Sequence, residues 1–163
     1  MRGETDTTKE MKTESEAIIL IGLQATGKSE FYKRNFADTH VRINLDMLKT
    51  RNRERILVDA CIAAKQSFVV DNTNPAKTDR ARYIDKAKES GFRIIGYYFR
   101  SSLSEASSRN AARPIKHQVP RPAIAGTHAK LDLPSLEEGF DELYYVYIGD
   151  NEDFMTEVYK DEI

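Results

Sequence analysis

Gly22-Leu23-Gln24-Ala25-Thr26-Gly27-Lys28-Ser29 fits the spacing G-x-x-x-x-G-K-[ST], the run in this 163-residue chain whose residue types could act chemically as one unit. Glycines at the fixed positions let the backbone curl so that successive N–H groups point inward at phosphate oxygens. Lys28 then meets the β- and γ-phosphates of a nucleoside triphosphate, and the Ser29 hydroxyl suits Mg²⁺. The run follows the apolar stretch Ala17–Ile21 and opens a helix-forming one, so a positive helix end adds to the field. ATP or another nucleoside triphosphate with Mg²⁺ is the expected ligand, and every residue of the run is a candidate contact.

Other residues gain meaning from that loop. Asp71 closes the apolar run Phe68-Val69-Val70, where a carboxylate beside the loop could hold Mg²⁺ or its waters. Asp46 follows the run Val41–Asn44 and reads equally as a general base for an attacking hydroxyl or as a helix N-cap. Lys49, three residues on, would share a helix face with Asp46 and could clamp an acceptor phosphate. Arg109 and Arg113 are four apart and, on a helix, would project from one face toward a transferring phosphoryl group; a solvated helix side is the alternative.

The elements that must position these groups alternate. Strands are expected at Ala17–Ile21, His40–Asn44, Ser67–Asp71, Phe92–Phe99 and Leu143–Ile148. Helices are expected at Lys28–Phe36, over most of Asp46–Gln66, from an Asn74 N-cap and Pro75 to about Ser90, and at Leu103–Ala112. Segment 114–135, with its prolines, reads as loop, and the acidic C-terminus as solvated tail or short helix. Alternation of this kind predicts an α/β fold: a parallel sheet sandwiched by helices, with a helical or loop lid over about 102–130. Residues 1–15 are polar without apolar period and read as a disordered tail, leaving 16–163 as a single domain.

With these residues in view, the chain resembles the kinase domain of the polynucleotide 5′-hydroxyl kinases, within the wider group of P-loop kinases. The resemblance runs from about Ala17 to Ile148. It is carried by Gly22–Ser29, Asn44-Leu45-Asp46 with Lys49, Val70-Asp71-Asn72-Thr73-Asn74, Arg109 with Arg113, Val119-Pro120, and Pro134 through Glu137-Glu138-Gly139-Phe140-Asp141-Glu142. The resemblance implies that Asp46 is the general base and that Lys49 grips the acceptor's phosphate, in place of the family's arginine. It also implies that Arg109 and Arg113 act on the donor phosphates, and that Asp71 serves near the metal or the acceptor. Lysine offers a point charge where arginine offers a planar fork, so acceptor clamping differs here.

Composition bounds the remainder. Hydrophobic residues are 40% and charged residues 31%, a balance ordinary for a soluble domain, and no apolar run approaches a membrane span. The single cysteine, Cys61, lies in an apolar helical stretch and reads as a core residue of a cytoplasmic protein. Acidic residues concentrate at the two ends. Between 100 and 130, Arg100, Arg109, Arg113, Lys116, Arg121 and Lys130 face Glu105 alone, a field that attracts phosphates. His40, His117 and His128 lack metal-ligand spacing. The expected activity is transfer of a γ-phosphate to the 5′-hydroxyl of single-stranded or end-exposed nucleic acid, as in nucleic-acid repair. A small-molecule kinase of the same fold and a non-catalytic nucleotide switch are the alternatives.

Overall fold

The computed structural model describes residues 14–160. The expected tail falls outside the described residues except for Glu14 and Ser15, and Ser15 is already tied in, its Oγ donating to the Lys65 carbonyl at 2.6 Å. Strands β1 (Glu16–Ile21), β2 (Val41–Ile43), β3 (Phe68–Val70), β4 (Arg93–Phe99) and β5 (Glu142–Ile148) run parallel in the order β2-β3-β1-β4-β5. A sixth strand, β6 (Phe154–Val158), pairs antiparallel with β5.

Strand β1 is apolar throughout because it is covered on both faces, and side chains alternate between them. Ala17, Ile19 and Ile21 pack with Ile43, Phe68, Val70, Val58, Cys61, Tyr83 and Ile84. Ile18 and Leu20 enter the opposite core with Val69, Phe99, Phe31 and Tyr32. Helix α1 (Lys28–Asn35) supplies Phe31 and Tyr32 to that second core, while α3 (Arg51–Ala63) and α4 (Lys77–Glu89) cover the first. The thiol of Cys61 is buried there, and burial pushes its pKa up.

Several expectations are corrected. The mostly helical stretch expected from Asp46 to Gln66 comprises two helices, α2 (Leu45–Leu48) and α3, separated by Lys49 at φ 75°, after which the Thr50 side chain accepts from the Arg53 amide and starts α3 afresh. Lys49 therefore ends α2 and shares no helix face with Asp46. Asn74 is not an N-cap: it sits at φ 44° and donates to the Leu20 carbonyl at 2.8 Å, so α4 begins at Lys77. The expected loop 114–135 contains a 3-10 turn, Ile115–His117, and a helix, α6 (Arg121–Lys130). Pro122 is tolerated in that first turn because the missing N–H would be unpaired anyway. Within the acidic C-terminal stretch expected as tail or short helix, Phe154–Val158 is instead β6, whose backbone finds partners along the edge of β5.

Helix α5 (Leu103–Ala112) falls where expected, and with α6 it forms the lid layer. Leu23 of the phosphate loop anchors this layer, packing with Ala106, Ile124 and Val119. Asn110 holds the Val119 backbone from both sides, donating to its carbonyl at 2.8 Å and accepting from its amide at 3.0 Å.

Candidate active site

The loop Gly22–Ser29 leaves the carboxyl end of β1 and turns directly into α1. Its start is pinned by the Gly22 amide on the Thr73 carbonyl at 3.0 Å and the Leu23 amide on Ser101 Oγ at 3.1 Å. Gly27, at φ 96°, is the point where only glycine fits: a Cβ there would stand 2.8 Å from the Phe154 ring. Lys28 is buried and folds back on the loop, its Nζ donating to the Gly22 carbonyl at 2.9 Å and to the Leu23 carbonyl. Burial lowers its pKa to about 8, against the pull of nearby Asp71 and with a further push from Arg113.

Asp71, 2% exposed, accepts from Ser29 Oγ at 2.9 Å and from Arg42 Nε at 2.8 Å. Arg42 Nη2 also donates to Ser29 Oγ at 3.0 Å. Each asparagine after Asp71 is spent on positioning. Asn72 Oδ1 accepts from the Leu45 amide at 2.9 Å, and Asn72 Nδ2 donates to Glu54 at 3.0 Å. Glu54 is itself buried and receives the Tyr83 hydroxyl and Arg51. In return Asn44 Nδ2 donates to the Asp71 carbonyl at 2.6 Å, while Asn44 Oδ1 caps α2 through the Met47 amide. The cap of α2 is thus Asn44, which removes the capping reading of Asp46. Asp46 stands exposed in the first turn of α2.

These elements bound a cleft of about 730 Å³ at the carboxyl ends of β1, β2 and β3. Gln24, Ala25, Gly27, Lys28, Ser29, Asp46, Asp71 and Arg113 all line it. Lys49 and Arg109 are outside its lining: Lys49 is exposed beyond α2, and Arg109 lies on α5 one turn before Arg113. Arg113 is the C-cap of α5, after which the backbone turns extended. Gln24 reaches across the cleft, its Nε2 donating to Thr127 Oγ1 of α6 at 3.0 Å, which ties the phosphate loop to the lid.

Sequence reasoning missed Arg42, whose signal was a lone cation between Val41 and Ile43 in an otherwise apolar strand. It also missed Arg80, fully buried, which bridges Glu138 at 2.8 Å to the carbonyls of Asn74 and Pro75.

A divalent cation fits the Ser29 hydroxyl and the Asp71 carboxylate, two hard oxygen donors 2.9 Å apart against which a guanidinium already stands. No group of three or more His, Cys, Asp or Glu residues able to hold a metal occurs among the described residues. No helix of the described residues is long and apolar enough to cross a membrane.

Known proteins share the family and the fold of this chain. A family model described as an AAA domain matches residues 18–134. A bifunctional polynucleotide phosphatase/kinase of Schizosaccharomyces pombe is 30% identical over 145 residues, covering 85% of this chain and 36% of that protein. An L-seryl-tRNA(Sec) kinase of Methanococcus maripaludis is 25% identical over 143 residues, covering 76% of this chain and 55% of that one. The chain thus spans about a third and about half of the lengths of these relatives. A gluconokinase from Sinorhizobium meliloti superposes with a TM-score of 0.54 at 19% identity, covering 80% of this chain and 81% of the other. The mostly parallel sheet with flanking helices is the fold of P-loop kinases.

Proposed function

The chain belongs to the AAA-domain family of P-loop proteins, and on that premise we propose that it is a kinase transferring the γ-phosphate of ATP to the 5′-hydroxyl of a polynucleotide. The observation that carries the reading is the convergence of Asp46 with Lys28, Ser29 and Asp71 on one cleft. Asp46 takes the proton of the acceptor hydroxyl as its oxygen bonds to the γ-phosphorus. The bond between that phosphorus and the β–γ bridging oxygen breaks, and ADP leaves. Lys28 swings from the loop carbonyls onto the donor phosphates, and Arg113, with Arg109 behind it, offsets the charge on the transferring group. Ser29 and Asp71 would hold Mg²⁺, which supplies charge neutralisation when bound. Lys49, exposed past the end of α2, meets the acceptor's phosphate as a point charge. The similarity to a bifunctional polynucleotide phosphatase/kinase supports a polynucleotide acceptor, and a role in nucleic-acid repair would follow from such an activity. A buried free thiol accords with a reducing cytoplasm.

The test is label transfer from γ-labelled ATP to 5′-hydroxyl DNA and RNA oligonucleotides. Asp46→Asn is expected to lower the rate roughly 10²–10⁴-fold while leaving ADP affinity unchanged. Transfer undiminished by the substitution removes Asp46 as base. A second acceptor class is kept in view, because the cleft lining is mainly polar and charged, with Asn44, Asn72, Asn74, Asp79 and Thr73 around the candidate base. That class is a sugar or nucleoside hydroxyl, and ATP consumption across a panel of small hydroxyl compounds separates the two. Tight nucleotide binding with no turnover on either set would leave a nucleotide-dependent switch.

A further inference from the structure

Arg42 sits in the centre of β2, paired in register with Val69 of β3. Strand alternation sends Ile43 into one core and Arg42 to the opposite face, the face covered by α1. There its guanidinium lies 6.0 Å from the centre of the Tyr32 ring, and its head reaches the Asp71 carboxylate at 2.8 Å and the Ser29 hydroxyl at 3.0 Å. The Ser29 hydroxyl in turn donates a hydrogen bond to the same Asp71 oxygen at 2.9 Å. The three groups are closed on one another: the shared carboxylate oxygen receives two donors, and the hydroxyl both donates and accepts. Lys28 is spent on the loop's own carbonyls. Arg42 is therefore the cation in direct contact with the buried Asp71 carboxylate.

The two oxygens held by Arg42 are the ones a divalent cation would use in the proposed reaction. A metal ion bound between Ser29 and Asp71 would stand within a few ångströms of the guanidinium and compete for the same lone pairs, and like charges at that range in a partly buried site repel strongly. We infer that Arg42 is a positioning residue: a built-in counter-cation that holds Ser29 and Asp71 ready while no metal is present, and that must be displaced for the metal to load. The Arg42 side chain is 28% exposed, so the head has room to turn outward, away from the carboxylate. The metal requirement of nucleotide binding is thereby set by a residue that touches neither substrate. This inference rests on Ser29 and Asp71 being the metal ligands.

The test reads metal binding directly, as the loss of the free Mn²⁺ electron-paramagnetic-resonance signal on titration into the full chain with ADP. Arg42→Gln is expected to lower the half-saturating Mn²⁺ concentration about tenfold, on the scale of losing one charge-assisted hydrogen-bonded competitor. Arg42→Lys should stay near wild type. The thermal midpoint of R42Q should fall in EDTA and recover in saturating Mn²⁺ with ADP. In the unsubstituted protein, the Arg42 Nε–H resonance should be protected from solvent exchange in EDTA and lose that protection on adding Mg²⁺ with ADP, which keeps the inference testable if R42Q does not fold. Asp71→Asn must weaken Mn²⁺ binding. If it does not, the metal assignment falls and the inference with it. If D71N weakens binding but R42Q binds Mn²⁺ no better than wild type, only the role of Arg42 is overturned. An equal loss of ADP affinity in EDTA and in metal would make Arg42 a phosphate contact and likewise overturn it.

Discussion

Arg80 offers the sharpest test of how the site is held. Its side chain is fully buried and the carboxylate it grips, Glu138, is 10% exposed, with Nε and Nη2 on the two carboxylate oxygens at 2.8 and 3.0 Å. Nη1 meets the Asn74 and Pro75 carbonyls at 3.0 and 2.9 Å. One guanidinium thus joins the turn before β5 to the segment that follows Asp71. Arg80→Met keeps the volume but leaves the Glu138 carboxylate without its countercharge and the Asn74 carbonyl without its donor. The loss should be about 3–5 kcal/mol, the range for breaking a buried pair from one side. For a chain of this size that corresponds to a melting midpoint lower by roughly 6–20 °C. Replacing both partners by Arg80→Met with Glu138→Leu removes the stranded charge, so the double variant should recover much of the loss. Because the clamp ends on Asn74, whose side chain is bonded to Leu20 at the root of the phosphate loop, ADP affinity should fall in the single variant at temperatures where it is still folded. Chemical denaturation and ADP titration measure both. A single variant within about 1 kcal/mol of wild type, or a double variant no better than the single, would refute the clamp.

Two further outcomes follow from the loop. Lys28 is lowered by burial from an ordinary 10.5 to about 8, and bound phosphates should restore it, so nucleotide binding takes up a proton between those values. Affinity for Mg·ADP should therefore drop as pH rises, about tenfold from pH 7 to pH 9, and calorimetry in buffers of different ionisation heat should show proton uptake at pH 9; Lys28→Ala should bind weakly with a flat profile. Gly27→Ala places a Cβ 2.8 Å from the Phe154 ring at φ 96°, so it should cost about 1–3 kcal/mol in stability and weaken nucleotide binding, read by thermal melting and ADP titration.

What the sequence alone determined are features with a local physical cause. The phosphate loop is legible because its glycines answer a backbone requirement and its lysine and serine follow at fixed offsets. The five parallel strands are legible because a strand covered on both faces is a short apolar run bounded by polar residues, as in Ala17–Ile21 and Phe68–Val70. Asp46, Asp71 and Arg113 could be picked out because each lies just past an element whose end could be located. Tertiary structure alone decided that Asn44, and not the expected Asp46, caps α2, since Asn44 also reaches the Asp71 carbonyl. It decided that α6 is helical, because burial of Ile124 against Leu23 and Ala106 is invisible in a proline-rich segment. It decided that an acidic tail becomes β6, whose ladder partners lie on β5. Arg42 and Arg80 were hidden for the same reason. Their partners lie 29 and 58 residues away, and an ion pair of that span exists only once the sheet has brought the strand ends together.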